Sequence, residues 1–119
     1  YIGLELAQSV YSIALDNRAT GYTKSYNADV GSFAKKDLKA GEKLDGEGGY
    51  CARGRLITSE KSKKEMILPL GLTDNAVLKK DISKDEVIKL DDVELNLPAE
   101  VNEARKYQYN LLNSSDYNL

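Results

Sequence analysis

Apolar and polar positions along the 119 residues change rhythm twice. At the start, Leu6, Val10, Ile13 and Ala14 recur at helical spacing, which predicts a helix over 4–17. Asn17-Arg18-Ala19-Thr20-Gly21 reads as its stop, with Arg18 near the negative end of the helix dipole. Residues 22–29 are polar and tyrosine-bearing and read as a linker or surface arm. The rhythm then shortens. A strand is predicted over 30–36, with Val30, Ser32 and Ala34 on one side and Phe33 on the other. Residues 42–44 are extended, and 50–57 return as a strand with alternating arginines. The stretch TSEKSKK over 58–64 has no apolar residue and predicts a solvated, mobile loop. MILPLGL over 66–72 is the most apolar run, but Pro69 cannot donate to a ladder, so this is an edge or a bend. Residues 73–75 make a turn, further strands follow over 76–80 and 86–90, and 91–95 is extended. Helical spacing returns over 97–112, with Asn96 as cap, Pro98 in the first turn and Glu100 near the positive end. Val101, Ala104, Gln108 and Leu111 mark one face of it, and 113–119 reads as a polar, frayed tail. The fold class expected is mostly β, with a helix at each end.

The middle contains a repeat. Residues 34–44, AKKDLKAGEKL, align with 78–88, LKKDISKDEVI, at a constant offset of 44. Gly41 and Asp85 occupy the same place in the two copies, and both residue types tolerate positive φ. Each copy therefore reads as strand, turn, strand, and the pair as an internally duplicated β unit. Only the first copy runs on into Asp45-Gly46-Glu47-Gly48-Gly49-Tyr50, which has no counterpart in the second. Gly46 to Cys51 nearly matches the dinucleotide fingerprint G-x-G-x-x-G/A. That fingerprint needs a buried strand before it and a helix after it. Here Lys43-Leu44-Asp45 precedes and the strand-like Arg53-Gly54-Arg55 follows, so a cofactor loop is rejected. The three glycines leave backbone N–H groups uncovered, which can cradle an anion, with Lys35, Lys36, Arg53 and Arg55 as its charged contacts. The competing role is a tight reversal with close backbone packing.

Charge narrows the function classes. The formal net charge is −2 and the sequence pI about 5.2. Nucleic-acid binding needs a concentrated basic face, so no nucleic-acid partner is expected. No apolar run approaches the roughly 18 residues of a membrane span, and no signal peptide is evident, so no membrane partner is expected. The chain opens on Tyr1 rather than Met and is expected to continue from a longer protein. Cys51 is the lone cysteine, which fits a reducing, cytoplasmic setting without an internal disulfide. Arg53 and Arg55 lie close to it in sequence, but a small buried side chain is the expected role. There is no histidine, hence no imidazole base or ligand. Asp91 and Asp92 would face opposite ways on a strand, so neither they nor Asp45 with Glu47 make a metal site. No catalytic or metal residue is assigned.

The duplicated A-K-K-D-L-K-A-G-E-K-L pattern resembles the SAF domain, a β-clip module shared by the antifreeze-like end of sialic acid synthases, altronate dehydratases and flagellar P-ring assembly chaperones. The longer string is similar to the C-terminal SAF region of homoserine-dehydrogenase-like NAD(P)-dependent oxidoreductases, which include proteins resembling deoxyxylulose-phosphate reductoisomerase. It comprises 37–50 with D-G-E-G-G-Y, then Leu68-Pro69-Leu70-Gly71-Leu72, then Leu78-Lys79-Lys80-Asp81-Ile82. Asp85 departs from the pattern by replacing the turn glycine. The resemblance implies a β-clip over 30–95, preceded over 1–29 by a helix and arm continuing from an upstream domain and followed over 96–119 by a helix and tail. It implies a non-catalytic part of an oxidoreductase that supports the substrate pocket or a homodimer, with NAD(P) held by the upstream dinucleotide-binding domain and no cofactor here. Gly46, Glu47, Gly48, Gly49 and Tyr50 would then edge the substrate pocket. The alternatives are a stand-alone carbohydrate-related binding module, like the antifreeze-like domain, and a flagellar or pilus-type assembly chaperone domain.

Overall fold

The computed structural model describes residues 2–21 and 25–111. Its elements run α1 (Ile2–Asp16), β1 (Ala28–Ala34), β2 (Lys43–Asp45), β3 (Ala52–Thr58), α2 (Ser59–Lys64), β4 (Asp74–Leu78), β5 (Val93–Glu94) and α3 (Ala99–Leu111). Short 3-10 turns at Leu70–Leu72 and Leu90–Asp92 lead into β4 and β5. The architecture is small antiparallel sheets with a helix at either end, in keeping with the expected β-clip with helical ends. β1 pairs with β3 from Ala28↔Thr58 to Ala34↔Ala52, and β4 lies between β2 and β5.

The repeat is visible as a pseudo-twofold exchange of hydrogen bonds between its copies. Leu38 and Ile82, equivalent by the offset of 44, bond each other both ways, at 2.8 and 3.0 Å. Ala34 N–H donates to Glu86 O at 2.9 Å, and its equivalent Leu78 N–H donates to Glu42 O at 3.0 Å. Asp85 N–H reaches Ala34 O, and Gly41 N–H reaches Leu78 O. Side chains obey the same exchange. The Asp37 carboxylate accepts from Lys84 N–H at 2.8 Å, and the Asp81 carboxylate from Ala40 N–H at 2.9 Å. Gly41 and Asp85 both take positive φ, 83° and 69°, so the shared turn geometry outlasts the loss of glycine. Each first strand therefore pairs with the far arm of the other copy, and neither copy is a closed unit.

The core lies between the copies. Ala34, Leu38, Leu44, Leu68, Leu78, Ile82, Ile88 and Val93 are buried together, drawn from both halves. Pro69 sits in an isolated bridge opposite Gly31 and then leads into the 3-10 turn, the bend its missing N–H predicts.

Several expectations change. Residues 58–64 are not a mobile loop. Thr58 caps α2 by accepting from Lys61 N–H at 3.3 Å, and Ser59 and Ser62 are buried under it. Serine hydroxyls with internal acceptors can be buried without apolar character. Residues 86–90 form single bridges at Val87 and Lys89 instead of a strand. The return after the glycine loop does have a counterpart. Lys35 N–H bonds Cys51 O at 2.9 Å, and Lys79 N–H bonds Asp92 O at 2.8 Å, so β3 and β5 are equivalent arms. The first loop is longer, which hid this match behind a changed offset. In α3, Val101 and Ala104 are exposed while Arg105, Gln108 and Tyr109 face the body. The side chain of Leu111 lies outside the described residues, as do residues 22–24 of the expected arm and the tail from 112. Asp29, expected in that arm, is part of β1. Helix α3 starts after Pro98, whose carbonyl accepts from Val101 and Asn102.

Candidate functional site

The glycine loop joins β2 to β3, and Asp45 organises it. The Asp45 carboxylate accepts from Tyr50 N–H at 2.6 Å and from Cys51 N–H at 3.0 Å. These two bonds pull its pKa down to about 2. A Cβ on Gly49 would collide with that carboxylate, so glycine is required there by close approach. Gly46 and Gly48 have φ of 77° and 81°. Two N–H groups at the end of the loop are thus taken by the chain's own carboxylate. Gly46 is buried, Glu47 and Gly48 are exposed, Gly49 is half-buried, and Tyr50 is exposed.

The four expected cations take separate partners. Lys35 Nζ donates to Gly49 O, which ties the loop to the end of β1. Lys36 pairs with Glu42 at 2.7 Å. Arg53 pairs with Asp85 at 2.5 Å, linking β3 to the turn of the second copy. Arg55 lies over the Phe33 ring, 4.8 Å from its centroid. Cys51 is buried, with its thiol 3.8 Å from Glu42 Oε1. Burial and the neighbouring Asp45 carboxylate push its acidity down, raising its pKa, so it stays a thiol. Among the described residues no group of His, Cys, Asp and Glu has the makings of a metal site.

A second constellation was not legible in the sequence. Asp29, on β1, accepts from Tyr26 Oη at 2.6 Å and Ser62 Oγ at 2.8 Å, and it pairs with the Arg105 guanidinium. Arg105 also donates to Gln108 at 2.7 Å and lies 4.6 Å from the Tyr109 ring centroid. Burial raises the Tyr26 pKa above its usual value, whereas the Tyr26, Ser62 and Arg105 hydrogen bonds outweigh burial and lower that of Asp29. Asp29 and Arg105 lie 76 positions apart, so only a polar residue in each element hinted at the cluster. Beside the cluster opens a cleft of about 450 Å³, with Val30, Leu56, Pro69 and Leu70 as its apolar side and Tyr26 and Gln108 on its polar side. A smaller one, about 220 Å³, lies between Lys80, Lys89, Glu86 and Asp92, where Lys80 pairs with Asp92 at 2.7 Å. Neither cleft is lined by the glycine loop.

The family model described as SAF domain matches residues 32–94, more than half of the chain. The chain belongs to the SAF domain family. The match begins inside β1 and ends with β5, so it takes in both copies and the glycine loop. No curated protein matches the chain. Helices α1 and α3 lie outside the SAF match, and no described helix is long and apolar enough to cross a membrane.

Proposed function

We propose that this SAF domain is an accessory, non-catalytic module of a larger NAD(P)-dependent oxidoreductase of the homoserine-dehydrogenase-like kind. Its work there is to support the substrate pocket or the dimer. The observation that carries the reading is the bare apolar ridge of α1. Leu6 is 73% exposed, Val10 62% and Ile13 62%, all on one helix face. A ridge of this kind marks a contact surface, and the SAF body leaves it open. The glycine loop fits the same role. Asp45 locks its inner side, while Glu47 and Tyr50 stand outward at the end of the sheet. The dinucleotide would be bound by an upstream domain, and NAD(P) chemistry is asked of no residue here.

The test uses the full-length protein. Calorimetry with NADH and NADPH should show binding to it and none to the isolated 119 residues. Replacing Leu6 and Val10 by serine should loosen the contact between the module and the rest. Glu47→Gln should alter KM or kcat while leaving the melting temperature in place. Micromolar nucleotide binding by the isolated chain, or none by the full-length protein, would overturn the proposal.

A further inference from the structure

The outer edge of β3 is open over residues 53–56. Along β1, Ser32 and Ala34 bond outward to Leu68, Ile88, Glu86 and Asp85, so the alternate residues of β1 face β3. By the register, Arg53, Arg55 and Ile57 are then the β3 residues whose backbone meets β1. Gly54 and Leu56 direct their N–H and C=O away from the sheet, and no hydrogen bond among the described residues reaches those groups. Residues 53–56 are all exposed, Leu56 at 78%. The equivalent arm, β5, is only two residues long, whereas β3 has seven. Proteins commonly blunt such an edge with proline, a bulge or charged side chains; β3 has neither proline nor bulge, and its charges are the two arginines Arg53 and Arg55.

The two faces of this edge differ in chemistry. On one, Gly54 is closed tightly over Val30 and Leu70, and with Leu56 these form the apolar side of the larger cleft. On the other lie the guanidinium groups of Arg53 and Arg55. A strand added to the edge would place alternate side chains on alternate faces. A second copy of this chain is a poor occupant. Antiparallel registers that pair Gly54 with Ala52, Gly54 or Leu56 set arginine directly against arginine, which is unfavourable.

We infer that the β3 edge is a docking site for an extended peptide segment of another protein, alternating acidic and apolar residues. The apolar side chains enter the Val30–Leu56–Leu70 cleft and the acidic ones meet Arg53 and Arg55. Main-chain bonds to Gly54 and Leu56 supply the pairing, and the two faces select the sequence. The inference is independent of which larger protein the domain serves.

The probe is a capped peptide alternating glutamate and valine, as long as β3. Amide shifts at Gly54 and Leu56 on titration are expected. A lysine–valine peptide should bind roughly tenfold more weakly or worse, by loss of charge complementarity. N-methylation of the peptide at alternate residues should abolish binding. Leu56→Asp, checked for folding by its amide spectrum, should weaken binding of the glutamate peptide. Absence of shifts at Gly54 and Leu56 at millimolar peptide, or equal binding of the lysine peptide, would overturn the proposal. So would concentration-dependent protection of Gly54 and Leu56 in the protein alone, which would make a second copy the occupant.

Discussion

Asp45 shows how one side chain can decide the meaning of a glycine-rich loop. Its carboxylate takes the N–H groups of Tyr50 and Cys51, so the loop closes on itself. Its pKa is pulled from 3.8 to about 2 in the fold. A depressed carboxylate contributes stability that is present above its unfolded value and is lost as pH falls through the folded one. The Asp45 share of acid destabilisation therefore falls between about pH 4 and pH 2. An NMR titration of the Asp45 carboxyl carbon should give a midpoint near the lower end; a midpoint at the ordinary value would refute the closed loop. Asp45→Asn should lose this component of the acid response and start less stable at neutral pH.

At the scale of elements, α3 is held by a polar clasp instead of an apolar face. Arg105 pairs with Asp29 of β1, Lys63 of α2 donates to Tyr109 O at 3.3 Å, and Tyr107 and Val101 stay exposed. Breaking a buried ion pair from one side costs several kcal/mol, because the remaining charge is stranded. Arg105→Ala should therefore release α3 locally while the SAF core stays folded. A loss of about 2 kcal/mol in local stability corresponds to roughly 30-fold faster amide exchange in α3, with β1 and β4 unchanged. Equal exchange in α3 of both proteins would show that the clasp does not hold the helix.

For the whole molecule, the exchanged bonds between the copies make the SAF domain one cooperative unit. Leu38 and Ile82 pair across the pseudo-twofold and are 1% and 3% exposed. Each substitution by alanine should cost about 3 kcal/mol, and the two should couple because the residues touch one structure. A fragment carrying only β1 to β3 keeps the first copy's sequence but loses the acceptors for Ala34 and Leu38. It should give a collapsed, undispersed amide spectrum. A dispersed spectrum would mean that one copy folds alone.

The sequence by itself determined the local features. Pro69 dictated a bend, positive-φ tolerance at Gly41 and Asp85 dictated matching turns, and 3.6-residue spacing placed α1 and α3. The offset of 44 made the duplication legible and, through the repeated A-K-K-D-L-K-A-G-E-K-L pattern, the SAF family. These are properties of neighbouring residues or of an alignment of the chain with itself. Tertiary structure alone decided which arm pairs with which, because strands of either copy offer the same donors and acceptors. It decided that Asp45 takes the Tyr50 and Cys51 N–H groups, that Lys35, Lys36, Arg53 and Arg55 each take a different partner, and that Ser59 and Ser62 are buried. The Tyr26–Asp29–Ser62–Arg105 cluster was invisible for the same reason. Each of those polar residues is ordinary in its own segment, and a buried charge is tolerated only when distant segments supply its partners at once.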